Sequence, residues 1–357
     1  MKAAILTLHR YLGLGLALLW ILQALTGVAL VFRWELDDAS VAGASRPFAP
    51  AAIERRIHLI EAERPGWAAS SIWSSATGGR RYDITLENPS TGEARTWRVD
   101  GQGRVLRTMD SGEKVSNGAL YDTLTTFHQT LFLGDRGHWI IGTSGLLLAS
   151  NILLALSLAL PRIGRWRAAL VPTTGGPVRA WSYAWHRALG LWLCLPAAIL
   201  ALCGAAISFE DPLRGWLRAE PVAPAAPATT SAAAPPVTPG QAMRHALARY
   251  PDAAISGVVF PSADAPWYRI RLLQPDEPRQ AFGRTTVYVS DDDGRLLSDY
   301  DTTRAGWRLR VFDLLYPVHT GQILGPAGRT AVLLVGVWLI AMCGLGVVLW
   351  TSRRERR

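Results

Sequence analysis

Residues 8–32 read LHRYLGLGLALLWILQALTGVALVF and align without a gap with residues 185–209, WHRALGLWLCLPAAILALCGAAISF. Both segments open on His-Arg, continue with Leu-Gly-Leu and end on Phe. Self-similarity at a fixed offset is the sequence pattern of a repeated architecture. We therefore predict an internal duplication, in which each half of the chain begins with the same type of helix.

Each of these segments belongs to a long apolar run. Four runs of 22 residues contain no Asp, Glu, Lys or Arg: 11–32, 139–160, 188–209 and 330–351. The hydrocarbon core of a bilayer, about 30 Å thick, is crossed by roughly 20 helical residues. The sequence therefore predicts a polytopic α-helical membrane protein with four transmembrane helices.

The formal net charge of +9 is concentrated in short segments. Residues 1–10, 161–187 and 352–357 together hold 11 Lys or Arg and one acidic residue, whereas the two long segments between the apolar runs are nearly neutral. Short basic segments mark the cytoplasmic side of a membrane. We therefore expect cytoplasmic termini, extracytoplasmic long segments and contact with membrane lipids, and we expect no nucleic-acid partner.

Each long segment predicts a small α+β module with an antiparallel sheet. Residues 50–63 and 238–250 have helical patterns, and Thr238 is the expected N-cap of the second helix. Glycine-containing turns separate runs rich in β-branched and aromatic residues. The predicted strands are 82–87, 267–273 and 285–290.

The predicted organisation alternates membrane and soluble segments. An Ala/Pro-rich stretch at 219–240 is typical of a flexible linker because it cannot bury a core. The predicted boundaries are an N-terminal tail and first transmembrane helix, 1–32; a first extracytoplasmic module, 33–127; a His-containing segment and second transmembrane helix, 128–160; a cytoplasmic Arg-rich loop, 161–187; a third transmembrane helix, 188–209; a linker region, 210–240; a second extracytoplasmic module, 241–318; a second His-containing segment and fourth transmembrane helix, 319–351; and a cytoplasmic tail, 352–357.

Three repeated motifs carry a resemblance to a known family. They are the HRxLGL openings that contain His9 and His186, the H-x5-G-x2-G segments that begin at His128 and His319, and the D-x2-G-R-[VL]-L turn near the end of each module. Over nearly its whole length the chain resembles the PepSY-associated transmembrane helix proteins, which include bacterial inner-membrane iron-regulated proteins and ferric-siderophore reductases. The resemblance implies an inner-membrane protein with periplasmic PepSY domains and with b-type haem between its helices.

Two features of the chain narrow this cofactor expectation. The chain contains no CxxCH motif for covalent haem attachment. Some relatives carry a cytoplasmic flavin reductase domain, and we expect none here because six residues follow the last apolar run. The expected cofactor is therefore non-covalent haem b, without a flavin domain.

Four histidines form two repeat-related pairs at the predicted membrane boundaries. His9 and His186 open the first and third helices, and His128 and His319 stand just before the second and fourth. A pseudo-two-fold axis would bring each pair together, and haem iron accepts axial histidine. We predict that the pairs are the axial ligands of two haems; the alternative is that they are polar residues at the headgroup level. His138 breaks the symmetry, because its repeat counterpart is Arg329. It could replace His128 as a ligand, contact a substrate or end a helix.

Glycines accompany the histidines on the first and third helices. Gly13 and Gly190 follow the first pair by four residues, and Gly27 and Gly204 follow it by eighteen. Both spacings keep the glycines on the histidine face of the helix. They are predicted to leave clearance for the flat haem macrocycles, with close packing of the helices as the alternative.

Two haems in line across a bilayer favour transmembrane electron transfer. The expected function is that of an oxidoreductase resembling ferric-siderophore reductases, which takes electrons from a cytoplasmic flavoprotein or quinol and reduces Fe(III) in a periplasmic siderophore. One alternative is a non-enzymatic PepSY membrane scaffold or peptidase regulator, which would contain no chromophore. Another is an electron relay to copper or to a different periplasmic redox partner. No catalytic side chain is predicted.

Overall fold

The computed structural model describes residues 1–43, 46–75, 80–110, 120–219, 236–279 and 282–354. Most of the predicted linker, 220–235, and the last residues of the predicted tail, 355–357, lie outside the described residues. The chain divides into two compact units. A helical unit comprises Met1–Val31, Leu124–Trp216 and Leu314–Arg357, and a sheet unit comprises Phe32–Thr123 and Leu217–Asp313.

Helices make up the helical unit and flank the strands of the sheet unit. The α-helices within the described ranges are α1 (Lys2–Leu30), α2 (Arg33–Ala39), α3 (Pro50–Glu63), α4 (Leu120–Thr130), α5 (Asp135–Ala159), α6 (Trp166–Leu170), α7 (Val178–Ser208), α8 (Glu210–Leu217), α9 (Pro239–Arg249), α10 (Trp307–His319) and α11 (Gly325–Arg354).

Four helices in the described part of the chain are long and apolar enough to span a membrane, as predicted. The candidate spans are Lys2–Leu30, Asp135–Ala159, Val178–Ser208 and Gln322–Ser352. Helices α1 and α7 begin between two and three turns before the apolar runs at 11–32 and 188–209. The apolar pattern marks only the part of each helix that fits the hydrocarbon core, and not the point where the backbone helix begins. His9 and His186 therefore lie inside α1 and α7 instead of capping them.

Small residues and buried polar contacts hold the four long helices together. A Cβ atom added to Gly145 on α5 would lie 3.0 Å from the carbonyl oxygen of Ala201 on α7, so the two backbones approach closely. Trp20 donates from its indole nitrogen to the Ser144 hydroxyl at 3.0 Å. Arg329 on α11 donates to the carbonyl oxygen of Val31 at the end of α1, which satisfies a helix-terminal acceptor.

The sheet unit contains one antiparallel sheet of eight strands. Its order is β4-β3-β2-β1-β5-β6-β7-β8. The strands are β1 (Ala68–Ser74), β2 (Arg81–Glu87), β3 (Ala94–Asp100), β4 (Val105–Asp110), β5 (Ala254–Val259), β6 (Trp267–Leu273), β7 (Thr285–Ser290) and β8 (Leu296–Tyr300). Strands β2, β6 and β7 and helices α3 and α9 lie where the sequence predicts them, to within one residue at each end.

The structure joins the two predicted modules in a single compact unit. β1 pairs antiparallel with β5, with Ile72 opposite Val258, so each half covers the exposed edge of the other. The Tyr82 hydroxyl donates to the Ile255 carbonyl oxygen across this junction. Apolar side chains from α3, α9 and both halves of the sheet form one core on one face. The pairing explains why neither four-stranded half needs its own complete core.

The cap of α9 illustrates how the sequence specifies these elements locally. The Thr238 hydroxyl accepts a hydrogen bond from the Gln241 backbone N–H, and the Gln241 side chain accepts one from the Thr238 backbone N–H. Pro239 occupies the first helical position, where its missing N–H costs nothing. The predicted N-cap at Thr238 is confirmed.

The first prediction concerns the shared core of the sheet unit. Ile270→Ala should lower the thermal unfolding midpoint of the full-length protein in detergent by roughly 5 to 15 °C, because truncation of a buried isoleucine costs about 2 to 5 kcal/mol. Ile270 is 0% exposed, whereas Leu59 on α3 is 52% exposed. The control, Leu59→Ala, should leave the midpoint within about 2 °C. Equal shifts for the two variants would contradict the assigned core.

Candidate functional site

The first predicted histidine pair comes together between two long helices. His9 on α1 and His186 on α7 have ring centroids 6.3 Å apart, with the rings inclined at 62°. They are separated by 177 residues of sequence, so only the packing of the bundle unites them. The separation is too long for a hydrogen bond between the rings and leaves space for an atom that both could bind.

The orientation of the His9 ring is fixed by a buried asparagine. Nδ1 of His9 lies 2.9 Å from the Asn151 side-chain oxygen and 3.3 Å from the Asn151 carbonyl oxygen. Because the carbonyl oxygen can only accept, Nδ1 is the ring nitrogen that carries the proton. The Nε2 lone pair is consequently free to bind a metal, which is the arrangement that a hydrogen-bonded histidine ligand adopts.

The ring of His186 lacks a side-chain partner of the kind that orients His9. Its Nδ1 is buried and makes no hydrogen bond of normal geometry within the described residues, although the Met342 backbone interacts with the ring. A Cβ atom added to Gly346 would lie 3.8 Å from Cε1 of the ring. His186 is thus held mainly by packing against α11.

A cavity opens beside this pair. Its volume is about 660 Å³, within the range of roughly 300 to 1,000 Å³ that is typical of small-molecule and cofactor pockets. Most of its lining is apolar. The residues that bear on its chemistry are His9, His186, Gly13, Gly190, Arg10 and Arg179. Gly13 and Gly190 line this cavity. A Cβ atom added to them would lie 3.4 Å from Nδ2 of Asn151 and 3.5 Å from Cε of Met342, respectively, so their clearance for a macrocycle stays a prediction.

The second predicted pair also comes together. His128 near the end of α4 and His319 at the end of α10 have ring centroids 6.3 Å apart, with the rings inclined at 43°. The centroid separation equals that of the first pair. The two pairs thus repeat one geometry in different surroundings.

Hydrogen bonds orient both rings of the second pair. Nδ1 of His319 lies 3.0 Å from the Leu200 carbonyl oxygen, which requires the proton on Nδ1. Nδ1 of His128 lies 2.9 Å from the Thr26 hydroxyl oxygen. That hydroxyl donates to the carbonyl oxygens of Leu22 and Gln23, so it accepts from His128. In both histidines the lone pair is therefore on Nε2.

The second glycine pair lies directly against these imidazoles. A Cβ atom added to Gly27 would lie 3.3 Å from Cε1 of His128, and one added to Gly204 would lie 2.9 Å from Cε1 of His319. The sequence interpretation assigned this clearance to a macrocycle. In the structure the histidine rings occupy it, because only a glycine lets a ring approach the helix backbone so closely.

His138 stands apart from both pairs. It lies in the first turn of α5 and is partly exposed, and its side chain makes no hydrogen bond or ring contact with the described residues. The structure places His128, and not His138, opposite His319. The position that corresponds to His138 in the other half is Arg329. Arg329 is 3% exposed and donates a hydrogen bond to the Val31 carbonyl oxygen at the end of α1. The two positions therefore have different roles.

Each pair has the separation expected of two imidazoles bound to one metal. With metal–nitrogen bonds of about 2 Å on opposite sides, the ring centroids of two such ligands lie roughly 6 Å apart. Within the described ranges, no three His, Cys, Asp or Glu side chains converge on a common point.

Sequence reasoning missed the residues that orient the histidines. Asn151 is 6% exposed in the middle of α5, and Thr26 is 8% exposed in α1. A signal was present for the first of them, since a polar amide in the centre of an apolar run is costly unless it has a partner. Leu200 acts through its backbone, for which no side-chain pattern exists.

The comparison with protein families agrees with this architecture. Residues 6–353 match the family described as PepSY-associated TM region. The chain belongs to this family. The match covers nearly the whole chain and confirms the resemblance drawn from the repeated motifs. A comparison with curated proteins gave no significant match.

The second prediction concerns the glycine beside His319 in this PepSY-associated membrane protein. Gly204→Ala should lower the thermal unfolding midpoint, because the new methyl group would press on a ring that the Leu200 carbonyl holds in place. Gly344→Ala on α11 is the matched control, since no atom lies within 4 Å of its Cβ position. It should leave the midpoint unchanged or raise it slightly, as alanine is the better helix former. A neutral Gly204→Ala would contradict the close approach.

Proposed function

We propose that the two histidine pairs hold two b-type haems and that the protein transfers electrons across the bacterial inner membrane to a periplasmic acceptor, Fe(III) in a siderophore. The observation that carries the proposal is the repeated geometry of the pairs. Both have ring centroids 6.3 Å apart, and three of the four rings have Nδ1 engaged in a hydrogen bond. Bound haem would supply a one-electron redox centre at each pair.

The residues around the first pair fit such a cofactor. The cavity beside His9 and His186 is large and mainly apolar, as a macrocycle requires. Arg10 and Arg179 line the same cavity and could bind the carboxylates of a haem through charge-assisted hydrogen bonds. The chain has no CxxCH motif, so attachment through the two imidazoles alone is consistent with the sequence.

The groups that bind the histidines would tune the ligands. Asn151, Thr26 and the Leu200 carbonyl each hold a proton on an Nδ1 atom, which keeps Nε2 available and raises the basicity of the imidazole. These partners lie on helices other than the one that carries the histidine. The rings are thereby positioned before any cofactor binds.

The two pairs lie near opposite ends of α1. His9 belongs to the first pair, and Gly27, which contacts His128 of the second, follows it by eighteen residues. At 1.5 Å per residue this separation is about 27 Å along the helix, close to the thickness of the hydrocarbon core. One redox centre near each membrane surface is the arrangement that transmembrane electron transfer requires.

The charge pattern supports an orientation with the sheet unit in the periplasm. The basic segments 1–10, 161–187 and 352–357 would then be cytoplasmic, and an electron donor, either a flavoprotein or a quinol, would act at the His9 end. A bulky acceptor would meet the folded surface of the sheet unit on the other side. The equivalent strand order of β1–β4 and β5–β8 favours the proposed duplication.

The third prediction assigns the ligands. Purified protein expressed with ample haem should contain two haems per chain, measured as the pyridine haemochrome. His9→Ala and His186→Ala should each remove one haem, and His128→Ala and His319→Ala should each remove the other, so that a variant combining one change from each pair retains none.

His138→Ala is the control and should retain both haems. Loss of a haem from that variant together with retention in His128→Ala would overturn the ligand assignment. A purified wild-type protein without a visible chromophore would instead favour the scaffold or peptidase-regulator alternative.

The fourth prediction concerns the side of the membrane on which the ferric acceptor is reduced, and it is tested in sealed vesicles of known orientation. When the protein is pre-reduced, a membrane-impermeant ferric chelate on the side of the sheet unit should reoxidise it at least tenfold faster than the same chelate on the side of the termini. Optical absorbance followed after rapid mixing measures both rates. Equal rates, or faster reoxidation from the side of the termini, would contradict the proposed direction.

A further inference from the structure

The face of the sheet opposite α3 and α9, here called the polar face, carries charged side chains on both halves. On β6, Tyr268, Ile270 and Leu272 point into the core, so the alternation of the strand places Arg269 and Arg271 on the polar face. The two halves of this face differ in how their arginines are neutralised.

In the first half the central arginine is fully paired. Arg98 on β3 binds Asp83 on β2 through two nearly parallel hydrogen bonds of 2.7 and 2.8 Å, and it also contacts Asp37. Arg107 on β4 binds Asp37 as well, at 3.0 Å. Bidentate pairs of this kind satisfy both the charge and the donors of a guanidinium group.

In the second half two arginines lack such partners. Nε of Arg269 and Nε of Arg271 are buried and have no hydrogen-bond partner among the described residues, although both side chains are partly exposed. Nε of Arg107 in the first half is also unpartnered, but another nitrogen of that side chain binds Asp37, whereas Arg269 and Arg271 have no ion pair with a described carboxylate. Arg269 and Arg271 on β6 occupy the positions that correspond to Asp83 and Thr85 on β2. A buried donor without a partner costs free energy, and a buried charge costs more.

Neighbouring charges increase the positive potential. Arg284 uses the nearby carboxylate of Asp313, at 3.0 Å, and Arg279 donates to backbone carbonyl oxygens. Burial, followed by the charges of Arg284, Arg269 and Arg279, lowers the pKa of Arg271 to about 10. The local environment therefore disfavours the charged form of Arg271, and a bound anion would relieve this penalty.

The geometry points to a ligand with more than one charged group. Residues i and i+2 on a strand lie roughly 7 Å apart on one face, which exceeds the span of a single small anion. The indole ring of Trp73 lies 5.6 Å from the guanidinium carbon of Arg271 and forms an aromatic wall beside it. Guanidinium forks bind carboxylates bidentately.

We propose that Arg269 and Arg271 form a binding site for a soluble organic anion that carries at least two carboxylate groups. The site lies within the sheet unit and depends on the polar face alone. It does not depend on the proposed haem function, and haem content provides a separate readout.

The test uses full-length protein in a neutral detergent, with citrate as the probe and acetate as the single-carboxylate comparison. Isothermal titration should show saturable citrate binding by the wild type, with acetate at least tenfold weaker. Arg269→Gln combined with Arg271→Gln should weaken citrate binding at least tenfold. Arg55→Gln combined with Arg295→Gln removes the same charge from exposed positions and should change the affinity less than twofold.

Folding of the variants is checked by size-exclusion chromatography in the same detergent and by thermal unfolding. Citrate should raise the unfolding midpoint of the wild type but not of the Arg269/Arg271 double variant. If the double variant does not fold, Arg271→Lys alone retains the charge, loses the guanidinium fork and should weaken citrate binding severalfold.

Three outcomes would overturn the proposal. They are the absence of saturable citrate binding to the wild type, equal weakening in the two double variants, and binding only of vesicles that contain anionic phospholipid. The last outcome would assign the surface to the membrane.

Discussion

Hydrogen bonds from histidine Nδ1 atoms to groups on other helices are the interactions on which the site depends. They connect His9 to Asn151, His128 to Thr26 and His319 to the Leu200 carbonyl. An apolar bundle has little hydrophobic driving force to distinguish one helix rotation from another, so specific polar contacts and close packing at glycine must set it. The same bonds place the proton of these three rings on Nδ1 and leave the lone pair on Nε2.

The sheet unit reflects a different constraint, the need to cover strand edges. Two four-stranded halves pair through β1 and β5 and share a core on one face. The opposite face remains polar, and its two halves differ: in one, Arg98 is neutralised by aspartates, and in the other, Arg269 and Arg271 have no carboxylate partner among the described residues. Duplication followed by divergence would explain both the common strand order and the difference in charge.

Local features of both units could be predicted from the sequence, and long-range ones could not. The helix at 50–63 matches because Pro50 starts it and its apolar residues repeat with helical spacing. The histidine pairs followed from repeat symmetry and a common membrane boundary. The β1–β5 pairing joins residues nearly 190 positions apart without any local pattern. The role of Gly204 could not be predicted, because the sequence alone does not reveal that the imidazole ring of His319 fills the space beside it.

We propose that each histidine pair holds one haem through two Nε2 atoms. Electron paramagnetic resonance of the oxidised, haem-replete protein at cryogenic temperature tests it most directly, since two imidazole ligands produce a low-spin ferric centre. We expect two low-spin signals of comparable intensity, of which His9→Ala removes one and His319→Ala the other. A dominant high-spin signal in the wild type would contradict this assignment. Loss of the same low-spin signal in both variants would contradict it as well.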